Sequence, residues 1–361
     1  MTLRNAAVSL VGAVALIGAG TASGGSKSVT LRPTSTLRTA KIALLAADGA
    51  RAAVAPAKRR PCASIVVWDA SKNRTSGFHL RTNGCAGDGV RALALSDDQV
   101  AWIEHGGGND LELTLFAARF RGARAIQLDF RVNGDRAGGD PSGAWIGNIV
   151  GSGSVLAYNA WRLVCDRADP FSCGRHDPQL RLIDQRLVRI VSGHAATIAS
   201  GPDTYSLAAA GGGLVAVEHA DSVAIFTAGG ARAAVVPDST GTLRNVGLSA
   251  SRLVLERASS LDLYDPRTGA TVKSIAFASD SVHELVSVTQ RFALLRTPRT
   301  FVLVRLADGA RAPLALPQVA QRGLVGVRLT AAGLFYAYNV RNASVPGRVA
   351  FVPTGSFATA F

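Results

Sequence analysis

The stretch Val246-Gly-Leu-Ser249, Leu253-Val-Leu-Glu256 and Leu263-Tyr-Asp-Pro-Arg-Thr-Gly269 decides the fold. An apolar run meets a Ser-containing turn, a second apolar run follows, and a third enters a hairpin. Pro266 fixes one turn dihedral and Gly269 accepts a positive one, so the chain reversal is written into the residues themselves. Short runs of Val, Leu and Tyr punctuated by Gly, Asp, Ser and Pro are strand signals, and no helical stripe competes with them.

The same unit returns along the whole chain. Copies begin at Leu93-Ala-Leu-Ser96, Ile149-Val-Gly-Ser152, Leu207-Ala-Ala-Ala210, Val286-Ser-Val-Thr289 and Val327-Arg-Leu-Thr330, with a weaker first copy at Leu37-Arg-Thr-Ala40. Second runs start at Ile42, Val100, Val155, Leu214, Leu253, Phe292 and Leu334, spaced by 58, 55, 59, 39, 39 and 42 residues. Hairpin entries follow at Val66-Val-Trp-Asp69, Leu115-Phe116 before Arg121-Gly122, Leu182-Ile-Asp184, Ile225-Phe226 before Gly229-Gly230, Leu303 to Gly309 and Phe351-Val-Pro-Thr-Gly355. A period near 40 is the length of a four-stranded blade. The reading is all-β, a seven-bladed β-propeller of four-stranded antiparallel blades. A β-sandwich is the competing reading, but a single sandwich rarely exceeds ~250 residues. Ser28-Val-Thr-Leu-Arg32 has no blade of its own and is expected to be the N-terminal strand closing the last blade.

At 361 residues and 48% hydrophobic, the chain can bury one large core or a ring of small ones. Its net charge of +14 comes from 34 Arg and five Lys against 25 acidic residues, and favours anionic partners. Ala6 to Ala19 is an uncharged apolar stretch after Arg4, followed by Gly20-Thr-Ala22. That pattern predicts a signal peptide over 1–22, with 23–361 as a single propeller domain. A retained membrane anchor is the alternative; about 14 apolar residues fall short of the ~20 needed to span. No Cys follows the apolar run, which excludes lipid attachment there.

Four Cys in an exported chain suggest two bridges. Cys62 precedes the third strand of the first blade and Cys85 follows the fourth, so these neighbouring hairpin ends are expected to pair. Cys165 and Cys173 share one insertion and should pair with each other. The spacing lacks a CxxC pattern, so no metal site is expected.

In this parse, loops joining second to third strands and fourth strands to the next blade share one face. Counting along each second strand places Glu104, Asn159, Glu218, Arg257, Arg296 and Tyr338 there, with His105, His219, Glu256 and Asn339 beside them. Strands must turn polar where they meet water, and the competing reading is a central funnel that holds a ligand. Two carboxylates across a funnel, Glu104 and Glu218, could serve as acid and base. Asn133-Gly-Asp135 through Asp140-Pro-Ser-Gly143 is a solvated loop or a calcium loop, without EF-hand spacing. The insertion from Arg162 to Pro178 gathers Trp161, Arg162, Phe171, Arg175 and His176 around its expected disulfide, as interface anchors are often built. Lys58-Arg59-Arg60 and Arg119 to Arg124 are read as solvated, since an exported protein has little access to nucleic acid.

With these motifs in hand, the chain resembles bacterial exported β-propellers with WD40-like, TolB-like or YVTN-type repeats, over roughly residues 28–361. The Gly-His and Trp-Asp pairing of WD40 blades is missing apart from Trp68-Asp69, as are the Asp-box of sialidases and the quinoprotein and NHL patterns. One fold hosts many functions, so the likeness speaks to architecture. The expectation is a secreted, wall-associated or periplasm-like, monomeric binding scaffold for a protein or an anionic cell-envelope polymer, with no cofactor, no catalysis and no membrane span in the mature chain. The alternatives are an extracytoplasmic hydrolase or lyase using funnel carboxylates, and a structural ring without a ligand.

Overall fold

A computed structural model describes residues 28–57, 64–80, 89–107, 110–120, 124–135, 142–167, 173, 177–204, 206–219, 221–238, 241–277, 283–358 and 361. They form six sheets, antiparallel except for one strand pair. Residues 42–79, 206–237, 245–276 and 284–315 each run through four strands in sequence order. Residues 324–353 supply three strands of another sheet, and 89–200 form a continuous sheet of eight. Five sheets are therefore discrete blades. The eight-stranded sheet departs from the expected separate blades because two ten-residue strands, Ile126–Asp135 and Gly143–Ser152, meet at the single pair Asn133 and Gly143. Asn133 also donates its side-chain N–H to Ala144 O at 3.2 Å.

The innermost strands are Ile42–Asp48, Gly89–Leu95, Gly143–Ser152, Ser206–Gly211, Asn245–Leu248, Glu284–Val288 and Leu324–Leu329. Each contacts the next, and Leu324–Leu329 returns to Ile42–Asp48, so they close a ring around a channel. Six of the seven carry a register shift near their start, such as that between Val90 and Ala92 or Leu324 and Gly326. A bulge at this point re-aims a side chain and increases strand twist.

The core is a set of apolar layers, each held between neighbours in the ring. Alternation along one strand supplies two of them. Leu253 and Leu255 pack toward Leu214 and Ala216, while Val254 between them packs toward Leu285 and Ala293. Both faces of such a strand are buried, which is why the runs read as unbroken apolar segments rather than as polar-apolar alternation. Trp68 and Phe335 meet edge to face, 6.2 Å between centroids, across the junction of the first and last sheets. At 25 cal/mol per Å² of buried apolar surface, these layers supply the main driving force for closure.

Ring closure differs from expectation in its strand. Val29–Thr30, within the predicted closing segment, instead adds in parallel beside Leu314 and Ala315 of the 284–315 sheet. The next segment, Ser35–Thr39, pairs antiparallel with Gly347–Pro353 and completes the last blade. Leu37 thus belongs to the last blade, and the first blade begins one strand later, at Ile42. The sequence pattern misassigns it because Leu37 and Ile42 are close enough to resemble one inner pair. After Pro353 the chain turns into a short helix, Gly355–Ala358, that seats buried Phe357 against Phe292. The expected hairpin at Leu182-Ile-Asp184 is also absent: Leu180–Val191 runs on through Asp184, which takes a left-handed φ of 52° at a register shift, and reversal comes at Ser192-Gly193.

Among the described residues, no helix is long and apolar enough to cross a membrane. Residues 1–22, Cys62 and Cys85 lie outside the described residues. Cys165 and Cys173 are joined, with Cα atoms 5.8 Å apart.

Candidate functional site

The polar ends of the second strands do structural work between neighbouring units. Glu256 is fully buried; its Oε2 accepts from Asn245 Nδ2 at 2.6 Å and from the Leu285 N–H of the next blade at 2.7 Å. Asn339 brackets the Ile42 peptide of the first blade, accepting its N–H and donating to its carbonyl, both at 2.9 Å. Arg257 bonds Asp238 of the preceding blade and Asp262 of its own, the latter at 2.5 Å. Asn159 is buried and accepts the Asn148 N–H at 2.8 Å, and Asn148 in turn donates to Leu207 O of the next unit.

The others are less deeply placed or locally paired. Glu104 is buried and accepts the Trp102 indole N–H at 2.8 Å. His105 continues that strand, opposite Gly89 and Leu113. His219 Nδ1 lies 3.2 Å from Asp221, Arg296 pairs with Glu284 across the strand, and Tyr338 stacks on Tyr336 with centroids 6.0 Å apart. Burial, and then the Asp238 carboxylate, push the Glu218 carboxyl above its ordinary value. Glu104 lies in the eight-stranded sheet, four strands from that of Asn159, and Glu218 lies in the neighbouring sheet.

On the same face, a cleft of about 810 Å³ opens in the eight-stranded sheet, where strand ends from both its halves converge. Trp161 and Arg162 line it, as do Arg131, Asp184, Gln185 and Arg186. Arg131 is neutralised by Asp129, its Nε 2.8 Å from Oδ1. The Nε of Arg186 and the Oε1 of Gln185 are both buried without a protein hydrogen-bond partner among the described residues. The outer strand that borders the cleft exposes Phe130 and Val132, the latter of which also lines it.

Local sequence explains the shape. A Cβ on Gly147 would lie 2.1 Å from Trp161 Cζ3 and 2.5 Å from Asn159 Oδ1, so glycine there lets the indole lie flat on the strand. Gly143, at φ 111°, would drive a Cβ into the Asn133 backbone at 2.6 Å, and its absence permits the crossing of the two halves. Of the expected interface residues, Trp161 and Arg162 are in the cleft; Phe171, Arg175 and His176 lie outside the described residues, as does most of the suspected calcium loop. Sequence reasoning missed Arg131, Gln185 and Arg186. The bulge at Asp184 hides their position, because the strand pattern breaks there. Among the described residues, no three His, Cys, Asp or Glu gather as metal ligands would.

No known protein family model matches the chain, and no curated protein matches it. Solved structures do. The β-propeller domain of the trilobed protease from Pyrococcus furiosus aligns with TM-score 0.52 and 11% identity, over 87% of this chain and 96% of that one. The Cps50 (Swd1) β-propeller domain of Myceliophteria thermophila aligns with TM-score 0.50 and 10% identity, over 90% and 99%. The chain folds as a β-propeller. A chain of the mitotic checkpoint complex aligns over 98% of this chain and 99% of its own, at TM-score 0.51 and 13% identity. At such identities the likeness shows the β-propeller architecture alone.

Proposed function

We propose that this propeller is an exported, non-catalytic binding scaffold whose partner is a protein presenting an acidic, partly apolar segment to the Trp161–Arg186 cleft. We read the eight-stranded sheet as two blades joined at one pair, which makes seven blades and matches the seven innermost strands. The observation that carries the function is a contrast within one face. The polar ends of several second strands are engaged in bonds between neighbouring units, whereas the cleft offers Arg162, the buried Arg186 Nε and the Gln185 carboxamide beside an indole and exposed apolar side chains. Trp and Arg flanked by apolar surface is the composition of interface hot spots. Guanidinium groups favour carboxylate partners, and the net charge of +14 speeds their approach. The Cys165–Cys173 bridge beside the cleft supports an oxidising compartment, and with it the signal segment over 1–22.

A fluorescent glutamate-rich peptide carrying one aromatic residue, titrated with the protein and followed by anisotropy, tests the assignment. Saturable binding that weakens with salt is expected, with at least a tenfold loss in the Arg162→Glu/Arg186→Glu variant and none in Glu218→Gln. Equal binding by the double charge-reversal variant would remove the cleft from consideration.

A further inference from the structure

The channel on the ring axis is lined by the innermost strands and holds about 420 Å³. Its wall is built from small and aliphatic side chains, Ala94, Ala209, Gly151, Gly247, Val288 and Leu329 among them, and it carries two charged residues, Arg91 and Arg328. Among the described residues that line it there is no carboxylate. Asp48 follows Ala47 at the rim and is occupied, accepting from Ser152 Oγ at 3.3 Å and from the Gly153 N–H at 3.1 Å. Glu284, whose charge reaches Arg328, is engaged by Arg296.

Arg328 is unusually placed for an arginine. It lines the channel while remaining exposed to solvent, and its hydrogen bond among the described residues is from Nη1 to the neighbouring Val327 carbonyl at 3.0 Å. Enclosure by the channel walls lowers its pKa from the ordinary arginine value, offset in part by Glu284. Arg91 occupies the bulge position of its strand and lies over the Trp145 ring, 6.0 Å from the centroid. Ser287, also in the lining, accepts the Leu329 N–H at 3.0 Å and retains its own hydroxyl proton to donate. Low-dielectric walls that carry charge of one sign focus the field along the channel and concentrate counter-ions within it. A planar guanidinium with free donors matches two oxygens of one anion.

We infer that the axial channel is a binding site for a small oxyanion, a phosphate or a compact carboxylate, held chiefly by Arg328 with Arg91 and Ser287 contributing. The site is separate from the surface cleft and stands or falls without it. The ligand gives a full partner to a cation that otherwise feels only the charge of Glu284, itself engaged by Arg296, so occupancy also stabilises the ring.

Isothermal titration with inorganic phosphate and, separately, with citrate, at ionic strength held constant by sodium chloride, reads the site. One saturable site per chain is expected, together with a rise in melting temperature on adding the anion. Arg328→Met should weaken binding at least tenfold and abolish that rise, Arg91→Met should weaken it about threefold, and Arg119→Gln, an exposed arginine beside Asp98, should leave it unchanged. Should Arg328→Met not fold, Arg328→Lys keeps the charge, loses the fork and should still weaken binding. Saturation by phosphate alone names a phosphate ligand, and saturation by citrate alone names a carboxylate. Absence of saturation by either anion, full binding in Arg328→Met or Arg328→Lys, or an equal loss in Arg119→Gln overturns the assignment.

Discussion

Glu256 shows what a single buried carboxylate does in this ring. With no exposed surface, it accepts from Asn245 in its own blade and from Leu285 in the next, and lies 3.6 Å from His283. Glu256→Ala would leave the Leu285 N–H and the Asn245 amide without their acceptor, at a cost of about 1–3 kcal/mol for each unsatisfied group. Urea unfolding should show that loss, and a Glu256→Ala midpoint equal to wild type would contradict the strut. Asp48 makes a prediction about pH. Burial raises its carboxyl, aided by the Asp97 charge, against the lowering bonds from Gly153 and Ser152. A folded value above the ordinary 3.8 means that its contribution to stability is fully present below 3.8 and is lost as pH rises through the folded value. Asp48→Asn, which keeps an acceptor for Ser152 and Gly153, should therefore be at least as stable as wild type at pH 7, and the two stability curves should converge below about pH 3.8.

At the scale of elements, the strands around the cleft depend on two glycines and one bridge. Gly147→Ala would press a methyl group into the Trp161 ring, so the indole must move. The expected result is a changed Trp fluorescence spectrum and peptide binding weakened several-fold, with the sheet retained by circular dichroism. The Cys165–Cys173 bridge closes a short loop, and the chain-entropy model gives about 2–3 kcal/mol for a loop of this size. Cys165→Ser/Cys173→Ser should lose up to that amount in denaturant unfolding, and a larger loss would mean that the insertion supports more than its own loop. These elements were only partly legible beforehand. The pairing of Cys165 with Cys173 followed from the parse, and Trp161 and Arg162 stood out by composition. Arg131, Gln185 and Arg186 did not, because a residue on a bulged strand carries no periodic mark of the face it joins.

For the whole molecule, closure is the decisive event. Ser35–Thr39 is the strand that ties the chain's start to its end, through five register pairs from Ser35–Phe351 to Thr39–Gly347. Truncation that removes residues up to 39 should expose the edge of Gly347–Pro353, lower the melting temperature sharply and promote association through that edge, whereas removal up to 27 should leave the melting temperature unchanged. Size-exclusion chromatography and thermal unfolding of the two truncations separate these outcomes.

The sequence by itself determined the class of this protein. Apolar runs at a spacing near 40, each entering a Gly or Pro turn, can be buried on both faces only by stacking sheet on sheet around an axis, so the β-propeller was readable from composition and period. Tertiary structure decided which strand closes the ring, because Val29–Thr30 and Ser35–Thr39 are equally strand-like and the available edge chooses between them. It also decided the fate of the polar positions. Whether a Glu at a strand end faces solvent, a ligand or the next blade depends on the distance between sheets, and local sequence holds no information about that distance. The Arg-lined channel belongs to the same category, since Arg91 and Arg328 are 237 residues apart and become neighbours of one cavity only when the last blade meets the first.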